Sequence, residues 1–106
     1  MMLTVEKIKE VIAQIAPQYA IASVVLFGSY AKGCATEKSD VDLLIDSNGS
    51  IKGIEFFGLL EAISERFDER VDLIEKSQIM QGSPIYNEIQ GTGVIVYGYE
   101  NKKCAI

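Results

Sequence analysis

The residues most able to do chemistry form two short motifs separated by a loop. Gly28-Ser29 directly follows an apolar run, and Ser39-Asp40-Val41-Asp42 comes a short loop later. Side chains along a strand alternate between its faces, so Asp40 and Asp42 share one face if this segment is a strand. Like charges that close repel unless a cation lies between them. The spacing therefore indicates a metal site beside a turn that could admit a phosphate, with a merely solvated strand face as the alternative.

A third acidic residue, Asp72, interrupts another apolar run, Val71-Asp72-Leu73-Ile74. One reading is an edge strand that carries a single outward charge. The other is a third carboxylate brought beside the first two. Three carboxylates can hold two Mg²⁺ ions, one neutralising a leaving pyrophosphate and one lowering the pKa of an attacking hydroxyl. In that scheme Asp40 and Asp42 bind both ions, while Asp72 binds the ion at the nucleophile and helps to take its proton.

The Gly28-Ser29 turn has a structural and a functional interpretation. A glycine at the end of a buried strand can simply turn the chain. It also leaves room for a phosphate to approach the backbone, where free amides and the Ser29 hydroxyl are donors. Lys32 could neutralise a triphosphate oxygen or be a solvated helix lysine. The turn is not a Walker loop, because the spacing to a Gly-Lys-Ser/Thr sequence is missing.

The composition narrows the chemistry that these residues could carry. The chain contains no histidine, which excludes imidazole bases and most transition-metal sites. Its two cysteines, Cys34 and Cys104, have no paired spacing and are expected to be reduced thiols. Any chemistry must therefore use carboxylates, hydroxyls, lysines, backbone amides and a hard cation such as Mg²⁺.

Length and charge limit the class of protein. The 106 residues are expected to form one domain, 1–106, and 48% of them are hydrophobic. A net charge of −5 makes nucleic acid an improbable direct ligand, since backbone binders usually present a basic face. The longest apolar stretch, 20–27, is too short for a membrane span, and the charges of Glu6 and Lys7 are atypical of a signal peptide. We therefore expect a cytoplasmic protein without membrane contact.

Hydrophobic periodicity predicts alternating helices and strands. Thr4 is a plausible N-cap for a first helix that Pro17 stops, and Phe56, Phe57 and Phe67 are expected in the core. The remaining predicted elements are strands over 21–27, 40–46, 71–75 and 94–97 and helices over 29–32, 54–67 and from Ser83-Pro84 to Gly91. This order predicts an α/β (α+β) fold, a small mixed sheet of about four strands flanked by helices.

These motifs together resemble one protein family. Gly28-Ser29, Gly33, Ser39-Asp40-Val41-Asp42-Leu43 and Val71-Asp72-Leu73 are similar to the minimal nucleotidyltransferases of the DNA polymerase β superfamily, over about 24–98. The resemblance implies a polymerase-β-type fold that binds Mg²⁺ and a nucleoside triphosphate. The implied metal-binding and catalytic residues are Asp40, Asp42 and Asp72; the implied nucleotide-binding residues are Gly28, Ser29, Lys32 and Ser39. Many relatives have arginine at Lys32, and lysine lacks its planar two-point grip on phosphate.

The resemblance also implies a biological role. Stand-alone domains of this size resemble the nucleotidyltransferase half of two-gene modules, whose other half is a small all-helical HEPN protein encoded nearby. Such a domain is expected to act as the antitoxin by transferring AMP from ATP to a hydroxyl on that partner. One alternative is a non-catalytic antitoxin that neutralises a ribonuclease by contact, its acidic surface matching a basic cleft. Another is a nucleotidyltransferase subunit that modifies a small molecule such as an aminoglycoside.

Overall fold

The computed structural model describes residues 4–36, 38–47, 51 and 53–98. Within these ranges, four helices and four strands alternate, as the periodicity predicts. They are α1 (Val5–Ile15), β1 (Ser23–Phe27), α2 (Ser29–Lys32), β2 (Val41–Asp46), α3 (Ile54–Phe67), β3 (Val71–Glu75), α4 (Pro84–Thr92) and β4 (Val94–Tyr97). Two 3-10 turns, Ala16–Tyr19 and Lys76–Gln78, follow α1 and β3. In the part of the chain described, no helix is long and apolar enough to cross a membrane.

The strands form one mixed sheet in the order β3-β2-β1-β4. Strand β1 pairs antiparallel with both β2 and β4, whereas β2 and β3 are parallel. A parallel pair needs a crossover connection, and α3 supplies it between β2 and β3. The predicted mixed sheet of four strands is confirmed. Its one parallel pair decides which ends of β2 and β3 meet.

One face of the sheet carries the main core. Helices α1 and α3 pack there, with Ile12 and Ile63 among their buried residues, against Val41, Leu43 and Ile45 of β2. The Thr4 hydroxyl accepts a hydrogen bond of 3.1 Å from the Lys7 amide, so the predicted N-cap is confirmed. This layer fixes the position of β2 from one face of the sheet. The opposite face of β2 is not covered by α1 or α3.

The second face is covered only in part. A smaller cluster of Val25, Phe27, Leu44 and Ile89 fixes α4 over the strands. Ser83 caps α4, since its hydroxyl accepts a hydrogen bond of 3.2 Å from the Tyr86 amide. Side chains alternate along β2, so Asp42 lies on the same face as Leu44, at the edge of this cluster.

Several element boundaries differ from the sequence-based expectations. Strand β1 begins at Ser23, and Ile21 is buried just before it. Asp40 precedes β2, because the parallel ladder begins where the Val41 amide donates to the Arg70 carbonyl at 2.8 Å. Helix α4 continues past Gly91 to Thr92 and ends where the Gly93 amide donates to the Ile89 carbonyl.

The aromatic residues of α3 divide between core and surface. Phe67 is buried and Phe56 packs against the core at its margin, as predicted. The expectation that Phe57 is in the core is wrong, because this side chain is 69% exposed. Its ring instead meets the Phe56 ring edge to face, with centroids 6.4 Å apart. Adjacent helix residues differ by about 100° in direction, so Phe56 and Phe57 cannot both face the sheet.

Candidate functional site

The register of the sheet brings the predicted acidic residues to one end of it. Asp42 of β2 pairs directly with Asp72 of the parallel strand β3. On its other side Asp42 pairs with Phe27, the last residue of β1 before the Gly28 turn. Two carboxylates from different strands and the Gly-Ser turn therefore meet at one corner of the sheet.

Gly28 lies against the Asp42 carboxylate. A Cβ atom at position 28 would lie 2.1 Å from Asp42 Oδ2 and 3.0 Å from its carboxyl carbon. The backbone of Gly28 has φ 76° and ψ −155°, a combination almost confined to glycine. Only a residue without a side chain lets the turn and the carboxylate come this close.

Asp40 lies beside this pair but is turned toward a cation. Its Oδ1 atom is 3.1 Å from Nε of Arg70, an ion pair without hydrogen-bond geometry. The Arg70 side chain is 83% exposed. Exposed ion pairs contribute at most about 1 kcal/mol, so this pair does not hold Asp40 firmly. A competing cation of higher charge can therefore draw the Asp40 carboxylate away from Arg70.

The electrostatics of the site centre on Asp42. Burial of the side chain, followed by the negative charges of Asp72, Asp40 and Glu88, raises the pKa of Asp42 from 3.8 to about 6. Each of these influences disfavours the ionised form. The corner of the sheet thus concentrates negative charge that the described side chains do not neutralise at Asp42.

Glu88 is a further candidate site residue, which no motif in the sequence indicates. It lies on α4, where the neighbouring Ile89 is fully buried and fixes that turn of the helix. Its Oε2 atom is 3.3 Å from Nζ of Lys32, and its charge acts on Asp42. The only available signal was an acidic residue next to a core position of a short helix, which is too common to indicate a site.

The other predicted nucleotide-binding residues, Ser29, Lys32 and Ser39, lie in different parts of the fold and have different partners. Ser29 begins α2, directly after the Gly28 turn, and is partly exposed. Lys32 ends α2 and pairs with Glu88. The Ser39 hydroxyl accepts a hydrogen bond of 2.9 Å from the Thr36 amide, which braces the loop before β2. The structure thus places Ser29 next to the Gly28 turn and Lys32 against Glu88, and it commits the Ser39 hydroxyl to its own loop.

The carboxylate oxygens of the site suit a hard cation, although in this structure they do not point toward one common ion position. Within the described ranges, no three acidic or cysteine side chains are placed to hold one ion as they stand. Asp40 contributes to this by facing Arg70. The oxygen ligands and the unneutralised charge around Asp42 are nevertheless what Mg²⁺ requires.

Comparison of the sequence with known families gives an independent view of the site. The family model described as "Nucleotidyltransferase domain" matches residues 5–96. A Methanocaldococcus jannaschii protein named "putative protein adenylyltransferase" is 36% identical over 84 residues, 74% of this chain and 84% of its own. The protein adenylyltransferase MntA of Thermococcus cleftensis is 33% identical over 85 residues, 76% of this chain and 86% of its own.

Solved structures share the fold at lower identity. A toxin-antitoxin complex crystallised with AMP-PNP includes a chain with a TM-score of 0.72 and 21% identity, covering 92% of this chain and 76% of that one. A complex of a tri-AMPylated Shewanella oneidensis HEPN toxin with its MNT antitoxin gives a TM-score of 0.69 and 16% identity, covering 90% and 73% of the two chains. At these identities the comparison establishes the common fold.

Proposed function

Because this chain belongs to the family of nucleotidyltransferase domains, we propose that it transfers AMP from ATP to a hydroxyl group of a partner protein in a Mg²⁺-dependent reaction. One observation carries the proposal. Asp42 and Asp72 pair in parallel register, and Gly28 lies against Asp42 with no room for a side chain. A phosphate at the turn would therefore lie next to both carboxylates.

The carboxylates Asp40, Asp42 and Asp72 are the proposed ligands of two Mg²⁺ ions. When bound, the ions would neutralise the leaving pyrophosphate and make the acceptor hydroxyl more acidic. The fit rests on the oxygen donors and on the raised pKa of Asp42, which reflects burial first and then the negative charges of Asp72, Asp40 and Glu88 that a cation would offset. The weak pairing of Asp40 with Arg70 leaves Asp40 free to join them.

The protein's own groups have separate tasks in this proposal. Gly28 admits a phosphate close to the backbone, and the Ser29 hydroxyl donates to it. Lys32 exchanges its contact with Glu88 for a phosphate oxygen. Asp72 is exposed on the edge strand β3, where an acceptor can approach, and its carboxylate accepts the proton of the attacking hydroxyl.

The choice of acceptor is supported by the relatives. Two of the curated relatives bear names of protein adenylyltransferases. Among the structural neighbours, one complex contains AMP-PNP and another contains an AMPylated HEPN toxin bound to its MNT antitoxin. We infer by analogy that the partner here is a small helical HEPN-type protein encoded nearby, and that this chain is its antitoxin.

The proposal is tested by following the label of ATP. The purified protein is incubated with Mg²⁺, the product of the neighbouring gene and ATP labelled either at the α- or at the γ-phosphate. We expect α-label on the partner, no γ-label, and loss of transfer on addition of EDTA. The variant Asp42→Asn should be folded, as judged by thermal unfolding, and inactive.

Three results would contradict the proposal. Transfer of γ-label would identify a kinase-type reaction in place of nucleotidyl transfer. Wild-type protein that binds neither ATP nor tripolyphosphate in the presence of Mg²⁺ would remove the nucleotide site altogether. Label on RNA in place of protein would keep the chemistry and refute the assigned acceptor.

The exposed face of α3 favours a second candidate, an antitoxin that acts by contact. Ile54 is 90% exposed and Phe57 is 69% exposed, and α3 packs on the sheet face opposite to Asp42. Apolar side chains so placed can bind a partner without involving the carboxylates. Contact inhibition predicts that Asp42→Asn still protects cells from the partner and that Phe57→Asp does not. The catalytic proposal predicts that Asp42→Asn fails to protect cells and that Phe57→Asp still protects them.

A further inference from the structure

A cavity of about 260 Å³ opens on the same face of the sheet as the carboxylates. It lies between β2, the segment that follows β3, and α4, and it is lined by Leu44, Lys76, Ile79, Gln81 and Tyr86. Its floor, Leu44, is the next residue of β2 after Asp42 on that face, roughly 6–7 Å further along the strand. The cavity is therefore adjacent to the proposed phosphate site and is separate from it.

The walls of the cavity suit a flat, mostly apolar ring. Leu44 is buried, while Ile79 and Tyr86 are half-buried and present aliphatic and aromatic surface. Gln81 is exposed at the rim, where its amide can turn inward. Lys76 is committed to Asp46, with Nζ 3.7 Å from Oδ2. Since pockets for whole drug-sized ligands start near 300 Å³, a slightly smaller cavity suits one part of a nucleotide.

We propose that this cavity binds the adenine base of the nucleoside triphosphate, a proposal that rests on the nucleotidyltransferase function above. A nucleotide with its phosphates at Gly28 and its α-phosphate near Asp42 can extend along β2 toward Leu44. The Gln81 amide can donate to N7 and accept from the N6 amino group of adenine. Guanine has acceptors at both corresponding positions, N7 and O6, so the Gln81 amide can make only one of these two hydrogen bonds to it.

The direction of the strands separates this cavity from the acceptor. Lys76 follows the carboxyl end of β3, whereas Asp72 lies near the opposite end of the same strand. Asp72 is also exposed at the edge of the sheet. The acceptor hydroxyl is therefore expected at the Asp72 end and the base at the Leu44 end.

The test measures binding of ATP, GTP and tripolyphosphate by calorimetry in the presence of Mg²⁺. Wild-type protein should bind ATP more tightly than GTP or tripolyphosphate. Ile79→Trp fills the cavity, and we expect roughly tenfold weaker ATP binding with unchanged tripolyphosphate binding. Gln81→Ala should reduce the preference for ATP over GTP about tenfold, the lower range for a lost bidentate base contact. Met80→Ala, at an exposed neighbour outside the lining, is the matched control.

Three outcomes would overturn the assignment of the base. Equal affinity of the wild type for ATP and tripolyphosphate would show that the base makes no contact. Unchanged ATP affinity in Ile79→Trp and Gln81→Ala would place the base elsewhere. Loss of label transfer by these variants with intact ATP binding would assign the cavity to the acceptor. Failure of the wild type to bind either ligand would instead refute the nucleotidyltransferase function, and the base site with it.

Discussion

Asp42 Oδ2 occupies the space that a side chain at position 28 would need, since a Cβ atom there would lie 2.1 Å away. The two residues come from different parts of the chain, because Gly28 directly follows the end of β1 and Asp42 lies in β2. Their contact joins the turn that admits a phosphate to the carboxylate that would bind its counter-ion. A change at the Gly28 turn is therefore expected to move the Asp42 carboxylate as well.

We predict that Gly28→Ala abolishes ATP binding. The added methyl group displaces the Asp42 carboxylate, and the positive φ adds strain of about 1–3 kcal/mol to the folded state. Gly53→Ala is the matched control, because Gly53 also has positive φ before a helix but has open space around its Cβ position. It should lose comparable stability and retain ATP binding. Equal loss of binding by both variants would contradict this explanation.

We predict that Asp42→Asn stabilises the protein at pH 8 in the absence of Mg²⁺. The pKa of Asp42 is raised from 3.8 to about 6, so the folded state holds more protons than the unfolded state between these values. The contribution of Asp42 to the free energy of unfolding therefore falls as the pH rises through this window. Above about pH 6 the carboxylate is ionised in the folded protein and its destabilising effect is complete. Solvent screening limits the expected gain to about 1 kcal/mol.

Denaturant unfolding of wild type and Asp42→Asn at several pH values measures this effect. The two proteins should converge in stability well below pH 3.8, where the Asp42 carboxyl is neutral in both the folded and the unfolded state. A variant less stable than wild type at pH 8 would show that the Asp42 carboxylate is compensated in the folded protein.

We predict opposite effects for the two members of the Lys32–Glu88 pair. Lys32→Ala should weaken ATP binding roughly tenfold, the scale of one charge-assisted hydrogen bond, while Lys32→Arg retains it. Glu88→Gln releases Lys32 from its partner at 3.3 Å and should strengthen binding about two- to fivefold, the scale of an exposed ion pair. Titration calorimetry with ATP and Mg²⁺ distinguishes these effects. Weaker binding by Glu88→Gln would indicate that Glu88 acts with the carboxylates on the metal.

We predict that Glu75→Gln destabilises the fold without affecting the site. The buried Glu75 carboxylate accepts hydrogen bonds from the Ser47 amide at 2.9 Å, the Ser47 hydroxyl and the Ser77 amide at 2.8 Å. Burial raises its pKa, but these hydrogen bonds outweigh burial and lower the pKa below 4.5. The stabilisation is thus present above pH 4.5 and is lost as the pH falls through the lowered value.

Glu75→Gln should therefore cost about 1–3 kcal/mol at pH 7, as measured by denaturant unfolding. ATP binding should be retained, because Glu75 pairs with Ile45 and therefore lies on the face of the sheet opposite to Asp42 and Leu44. A wild-type-like free energy of unfolding at neutral pH would contradict the role assigned to these hydrogen bonds.

Local patterns in the sequence were sufficient for the elements that carry the site. The period of Phe56, Leu60, Ile63 and Phe67 predicts α3 with its observed bounds, and the alternation around Asp42 predicts β2 to within one residue. The exposure of Phe57 was not predictable in this way, because a hydrophobic side chain on a helix margin has the same local pattern whether or not it is covered. Whether Phe57 is buried depends on which other parts of the fold pack against that side of α3.

The kinds of residue available could be read from the chain directly: a Gly-Ser turn, two carboxylates two positions apart, a third in another apolar run, and no imidazole. The pairing of Asp72 with Asp42, the contact of Gly28 with the Asp42 carboxylate and the ion pair of Glu88 with Lys32 arise from the fold of the whole chain. Periodicity specifies which face of a strand a side chain occupies, because that depends on neighbours along the chain. Register and helix placement depend on long-range packing of the core, which no local spacing encodes.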